Sequence, residues 1–239
     1  MRRFLFWSLC FCLLFPVGLS SCDGSDSAAV IFGGTTGKLT WTLTEDGVLT
    51  ITGEGPMPDY RDGGTSETPP WYPHVNRISS LTIGEGVTRI GDYAFMLCSF
   101  VTKVVIPESV TSMGDWAFLF CTGLQEAYIG DGVTEIAAKA FAECTALKTV
   151  VIGKSIQRIG DQAFNTRSSW DQMTLEKITV LFDDIASGSF PVLESGSRGV
   201  FPKPGGWDLV SYKIYVPKGT KAEYQKNWSD YSSLIVEMQ

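Results

Sequence analysis

Apolar residues in the middle of the chain recur with a period of 23 residues. Within each unit they follow the pattern apolar-x-x-apolar-x-apolar, and an Ala-Phe pair comes later in the same unit. The residue that begins each unit and the phenylalanine of its pair are Leu81 and Phe95, Val104 and Phe118, Ala127 and Phe141, and Val150 and Phe164. A fixed period of about 20 to 29 residues predicts a solenoid of stacked units.

The length and apolar pattern of the unit are those of a leucine-rich repeat. One such unit cannot bury its apolar positions alone, whereas stacked units form a continuous core. We therefore predict an α/β-type leucine-rich repeat solenoid over residues 77–190, with a short parallel β-sheet of about five rungs. The fifth rung is expected to be irregular, because an insertion interrupts the repeat around residues 166–171.

Both ends of the solenoid need a cap, since a terminal rung would otherwise expose its apolar surface. Residues 39–44 and 48–52 alternate between apolar and polar around an Asp-Gly turn, which predicts a β-hairpin. We assign residues 36–76 to this N-terminal β cap. Residues 191–239 are assigned to the irregular last rung and a C-terminal cap, in which a strand at 213–216 precedes a short helix that Thr220 and Glu223 open as a capping box.

The first residues are typical of an export signal, with two arginines, an apolar stretch and then small residues. Leu19-Ser20-Ser21-Cys22 resembles a bacterial lipobox, which predicts a lipoprotein signal peptide at residues 1–21 and lipidation of Cys22. Residues 22–35 then form a flexible tether. An uncleaved membrane anchor is the alternative for the apolar stretch.

Charge and cysteine content limit the function classes. A net charge of −7 and a pI near 4.8 disfavour nucleic acid, which requires clustered Lys and Arg. The 23-residue spacing of Cys98, Cys121 and Cys144 predicts a ladder of buried thiols, with a disulfide between neighbouring rungs as the alternative. No close Cys-x-x-Cys or His spacing accompanies them, so neither a metal nor a cofactor is predicted.

Catalytic residues are not predicted. His74 is the single histidine, in an aromatic and proline-rich segment, and no Gly-x-Ser-x-Gly motif is present. Asp92, Asp115 and Asp161 share one repeat offset, so a turn or capping role explains them. We interpret the protein as a non-enzymatic binding module. The alternative is an accessory protein or enzyme in polysaccharide processing.

A candidate binding face follows from the strand pattern. If Leu124, Ala127 and Ile129 point inward, period-two alternation turns Glu126 and Tyr128 outward. The predicted outward residues on the concave sheet face are Ser80, Thr82, Lys103, Val105, Glu126, Tyr128, Thr149, Val151, Lys177 and Thr179. Tyr128, Lys103, Glu126 and Lys177 are the strongest contact candidates, because an exposed aromatic ring beside charged groups suits recognition.

Residues 36–239 resemble the BspA-like leucine-rich repeat family. The resemblance rests on GKLTWTLTEDGVLTITGEGPMPDY, on PPWYP, on the repeated GDxAFxxC units and on IYVPKGTKAEYQKNWSDY. It implies a cell-surface protein that adheres to a host or bacterial surface protein or glycan, held to the membrane by lipid alone. In the similar Bacteroides-type lipoproteins, acidic residues after the lipidated cysteine accompany export to the outer face of the outer membrane. A periplasmic orientation is the alternative.

Overall fold

The computed structural model describes residues 28–61, 67–166, 174–184, 190–194, 199–202 and 212–239. The predicted signal peptide, Cys22 and most of the predicted insertion lie outside these residues. The strands are β1 (Val30–Thr36), β2 (Leu39–Thr44), β3 (Val48–Gly53), β4 (Gly55–Pro56), β5 (Ser80–Ile83), β6 (Val87–Ile90), β7 (Lys103–Ile106), β8 (Ser112–Met113), β9 (Glu126–Ile129), β10 (Glu135–Ile136), β11 (Thr149–Ile152), β12 (Arg158–Ile159), β13 (Lys177–Val180), β14 (Val192–Leu193), β15 (Lys213–Val216) and β16 (Ile235–Glu237). Within the described residues the helices are α1 (Lys221–Asn227) and two 3-10 helices, Tyr72–Arg77 and Ser229–Leu234.

Two parallel sheets run along the solenoid. The front sheet has the strand order β7-β9-β11-β13-β15-β16, and the back sheet has the order β4-β6-β8-β10-β12-β14. Four successive rungs, formed by β7 with β8, β9 with β10, β11 with β12 and β13 with β14, contribute one strand to each sheet, so the leucine-rich repeat solenoid is confirmed. The back sheet was not predicted, because its strands are mostly two residues long and carry little alternation.

The N-terminal cap is a separate four-stranded sheet, the cap sheet, with the order β1-β2-β3-β5. The predicted hairpin is confirmed as the antiparallel pair β2 and β3. Two assignments are corrected. Residues 30–35 were predicted as tether, but they belong to β1, which pairs with β2. In this strand Gly34 leaves room for the Trp41 indole, because a Cβ atom at position 34 would lie 3.1 Å from Trp41 Nε1. Strand β5, predicted as the first front rung, pairs with β3 instead.

A column of buried aromatic rings fills the solenoid from end to end. Neighbouring centroids are 5.0 to 5.7 Å apart along the series Trp71, Phe95, Phe118, Phe141, Phe164 and Phe201. The last member, Phe201, lies in the segment predicted as the irregular last rung and C-terminal cap. Phe190 lies outside the column and packs against Tyr224 of α1, with the ring centroids 4.7 Å apart. The column of rings therefore continues past residue 190.

In addition to the front and back sheets, a third array of backbone hydrogen bonds joins the turns of neighbouring rungs that carry the rings of the column. The N–H groups of Phe95, Phe118 and Phe141 each donate to a carbonyl of the next rung over 2.8 Å. The same turns place non-glycine residues in the left-handed region, for example Tyr93 at φ 54° and Leu97 at φ 64°. This backbone costs energy for such residues, and the inter-rung hydrogen bonds offset the cost.

Both caps complete the turn array. At the N-terminal end, the Trp71 indole N–H donates to the Ala94 carbonyl over 2.8 Å. At the C-terminal end, the Tyr231 hydroxyl accepts from the Phe201 N–H over 3.3 Å and donates to the Phe201 carbonyl over 3.0 Å. Each end of the array thus finds a side-chain partner, as buried polar groups require.

The cysteine ladder is packed within these turns. Cys98, Cys121 and Cys144 are free and buried. The Cys121 thiol donates to the Phe95 carbonyl over 3.1 Å, and the Cys144 thiol donates to the Phe118 carbonyl over 3.2 Å. Cysteine at this offset is therefore both a small apolar filler and a weak donor to the preceding rung.

The C-terminal strand and helix are confirmed as β15 and α1, but the predicted capping box is wrong. The Thr220 hydroxyl donates to the Pro217 carbonyl over 2.7 Å rather than accepting from the helix. Tyr224 and Trp228 share the buried face of the helix, with ring centroids 4.9 Å apart. None of the helices in the described ranges has the length and apolar character needed to cross a bilayer.

Candidate functional site: the outer face of the front sheet

The front strands alternate between buried and exposed side chains. In β9, Ala127 and Ile129 are buried, while Glu126 and Tyr128 are half-exposed. The inward residues pack around the aromatic column. The outward residues are left on an open face, which we call the outer face.

Strand register places the outward residues in two rows along the solenoid. The charged row is Lys103, Glu126, Thr149, Lys177 and Lys213. The apolar row is Val105, Tyr128, Val151, Thr179 and Tyr215. Because parallel strands repeat without a register shift, residues far apart in sequence become neighbours about 4.8 Å apart across the sheet.

Lys103 joins the two rows at the first front strands. Its Nζ lies 3.6 Å from Glu126 Oε2 and 4.5 Å from the ring centroid of Tyr128. The Lys103 and Glu126 side chains are 55% and 44% exposed, so their ion pair contributes little to stability. The contacts instead hold the ammonium group above the Tyr128 ring, on the surface that a partner would meet.

A second lysine-tyrosine pair repeats this arrangement three strands away. Lys177 Nζ lies 5.0 Å from the ring centroid of Tyr215. From β9 to β15 the strand spacing gives a separation of about 14 Å between the two tyrosines. Tyr215 and Lys213 belong to the face but were not among its predicted residues. The signal was present, because the order of inward and outward residues in β15 is that of β9.

Three predicted face residues occupy different settings from those expected. Ser80 and Thr82 are exposed, but they lie on β5 in the cap sheet. Thr179 faces outward and yet is only 8% exposed. Its register neighbours in the apolar row are Val151 and Tyr215. Thr179 is therefore corrected from a contact candidate to a filler between them.

Repeated aspartates cap the turns at the N-terminal end, as the shared offset predicts. Asp59 accepts from the Asp92 N–H and Asp92 accepts from the Asp115 N–H, each over 3.0 Å. Arg89 contacts both carboxylates. Burial alone would raise the pKa of Asp59, but the Asp92 N–H and Arg89 hold it below its usual value. Burial and the neighbouring Asp59 charge raise the pKa of Asp92.

These carboxylates border a cavity of about 830 Å³ beside the cap sheet, which Tyr60 and Tyr93 also line. A backbone N–H group and Arg89 both donate to Oδ1 of each aspartate. The fold therefore explains the aspartate pair as a structural cap. His74 is likewise a packing residue, since its ring stacks on Phe32 with the centroids 3.7 Å apart.

Metal chemistry finds no support in the described ranges, where no group of three or more His, Cys, Asp or Glu side chains is placed to hold an ion. The outer face is a sheet surface that carries lysines, Glu126 and two tyrosines among its described residues. An open, partly charged sheet surface of this kind suits contact with a macromolecule.

The fold defines a leucine-rich repeat protein, and comparison with known sequences gives the family. Residues 72–190 match the BspA type Leucine rich repeat region in six copies. The chain belongs to this family. Proteins built of such repeats generally mediate protein interactions and are typically non-enzymatic.

One solved structure with a TM-score above 0.5 agrees with the fold, and two others are similar over part of their length. A leucine-rich repeat protein from Eubacterium ventriosum is 26% identical, with a TM-score of 0.54, and the match covers 79% of this chain and 44% of that protein. The pneumococcal vaccine antigen PcpA is 19% identical, with 68% and 36% covered and a TM-score of 0.48. A leucine rich cell surface protein from Faecalibacterium prausnitzii is 20% identical, with 78% and 70% covered and a TM-score of 0.38.

This chain thus spans less than half the length of the first two proteins. No curated protein matches it.

Proposed function

We propose that the protein is a non-enzymatic binding module at the cell surface, which adheres to a protein or glycan of a host or of another bacterium through its outer face. The observation that carries the proposal is the pair of exposed lysine-tyrosine contacts, Lys103 with Tyr128 and Lys177 with Tyr215, held in register on one side of the front sheet. Aromatic and cationic groups of this kind dominate many binding surfaces.

The binding mode separates this proposal from polysaccharide processing. Purified protein is expected to show saturable binding to isolated surface macromolecules without forming a product. Size analysis of a polysaccharide before and after incubation provides the check. Shortened chains would contradict a purely binding role.

Substitutions on the outer face test its part in binding. Replacing Lys103 and Tyr128 together by Glu and Ser is expected to weaken binding, because the change removes one exposed cation and one ring. Lys226→Glu on α1 is the charge control, since this lysine is exposed and belongs to neither row. Equal losses in the two variants would contradict the assignment of the face.

We place the protein on the outer membrane as a lipoprotein that faces outward. The support is the lipobox-like Leu19-Ser20-Ser21-Cys22 and the acidic residues that follow it. Protease treatment of intact cells is expected to remove the solenoid, and protection until lysis would favour the periplasmic side. Cys22→Ala is expected to release the protein from membranes, whereas continued association would favour an uncleaved anchor.

A further inference from the structure

Charge on the outer face opposes the charge of the whole chain. The charged row contains three lysines, Lys103, Lys177 and Lys213, against one carboxylate, Glu126. The chain as a whole carries a net charge of −7. A local excess of cations on an acidic protein attracts acidic partners and repels basic ones.

Two of these lysines are not neutralised by the fold. Lys103 has Glu126 at 3.6 Å. In contrast, neither Lys177 nor Lys213 has a carboxylate at ion-pair distance within the part of the chain that the structure describes. Both side chains are exposed. They can therefore receive a carboxylate from outside without losing an internal ion pair.

The opposite margin of the face has the reverse charge. Carboxylates follow the ends of three front strands at Glu108, Asp131 and Asp183. Lys154 and Lys218 follow the ends of two other front strands, and Lys154 pairs with Asp131 over 2.9 Å. The face thus passes from a basic row, through the apolar row, to a margin with a small excess of carboxylates, which favours one orientation of a partner that lies along the solenoid.

The apolar row indicates a protein segment rather than a sugar chain. Val105 is 54% exposed, and the half-exposed Val151 lies between the two tyrosines along the row. Aliphatic side chains offer no hydrogen bond to sugar hydroxyl groups, whereas they bury well against the apolar side chains of a peptide.

We infer that the outer face accepts an acidic protein segment, with its carboxylates over Lys177 and Lys213 and its apolar side chains along the row from Val105 to Tyr215. The inference rests on the proposed function, because it concerns the same face. It adds the chemical class of the partner and the side of the face on which its acidic residues lie.

Selection from a random peptide library on the immobilised full-length protein tests the inference. The recovered peptides are expected to be enriched in Asp and Glu next to apolar or aromatic residues. Charge reversal by Lys177→Glu with Lys213→Glu is expected to weaken binding of the selected peptides by about tenfold or more. The control is Lys221→Glu with Lys226→Glu on α1, which changes the net charge equally and is expected to leave binding unchanged.

The outcomes separate the inference from the proposed function. If the selected peptides are neutral or basic, and Tyr128→Ser still weakens their binding, the inference of an acidic partner is wrong but the outer face remains the binding site. Acidic peptides that bind both double variants equally would also overturn it. Binding of polygalacturonate without any peptide enrichment would overturn it in favour of an acidic glycan. Absence of any ligand that depends on a face residue would overturn both.

Discussion

The rings of Phe118 and Phe141 lie parallel, with centroids 5.0 Å apart and an interplanar angle of 2°. Both side chains are buried, and each is flanked by a further ring of the column. We expect Phe118→Ala to lower the free energy of unfolding by about 3 to 5 kcal/mol, because it empties a central rung. Urea denaturation measures the loss.

Phe190→Ala is the comparison for that variant. Phe190 is half-exposed and lies outside the column, against Tyr224 and Trp228. Phe190→Ala is expected to lower the free energy of unfolding by less than about 3 kcal/mol, since less buried surface is removed. Equal losses for Phe118→Ala and Phe190→Ala would contradict the column.

The N-terminal end of the column gives a second prediction. Trp71→Phe keeps an aromatic ring on Phe95 but removes the indole N–H that Ala94 accepts. The expected cost is about 1 to 3 kcal/mol, because a buried carbonyl oxygen loses its donor. Trp116→Phe, whose ring is half-exposed, should cost less. If urea denaturation shows that Trp116→Phe lowers the free energy of unfolding more than Trp71→Phe does, the capping role of Trp71 is contradicted.

Buried thiols provide a third prediction. Burial raises the pKa of the Cys98 and Cys121 thiols well above the usual value, so little thiolate is present near neutral pH. In the folded protein, alkylation of both residues should be slower than after denaturation by about 100-fold or more. Mass spectrometry of each peptide gives the rates. Fast labelling of the folded protein, or a disulfide between the two, would refute the packed ladder.

The single histidine gives a prediction about pH. Burial and then the Arg77 charge lower the pKa of His74 from its usual 6.5. The contribution of neutral His74 to stability is therefore present above pH 6.5 and is lost as the pH falls through the folded-state pKa. Proton NMR of the one imidazole should give a midpoint below 6.5, and Arg77→Gln should raise it. A wild-type midpoint at or above 6.5 would contradict the described setting.

The sequence predicts the elements that its 23-residue period controls. Inward residues such as Ala127 and the column from Phe95 to Phe164 follow from that period, and the hairpin follows from alternation around a turn. Strand β1 could not be predicted in the same way, because its exposed Gly-Gly segment has no alternation and its pairing with β2 defines it.

Parts of the ring column and of the outer face could not be predicted from the 23-residue period, because they depend on contacts between irregularly spaced residues. Phe201 takes the next place in the column although the spacing from Phe164 is 37 residues rather than 23. Tyr215 joins the apolar row only because β15 pairs with β13. Thr179 is only 8% exposed, although its residue type and outward position both predict exposure. Irregular spacing therefore limited the prediction at the C-terminal rungs.

The most direct test of the central claim is photocrosslinking from two positions of similar exposure on opposite sheets. A photoreactive phenylalanine analogue replaces Val105 on the outer face or Arg158 on the back sheet, where the side chains are exposed to similar extents. On intact producing cells mixed with host cells, irradiation is expected to give discrete crosslinked products from position 105 and background from position 158. Products from position 158 with none from position 105 would contradict the assignment of the outer face as the contact surface.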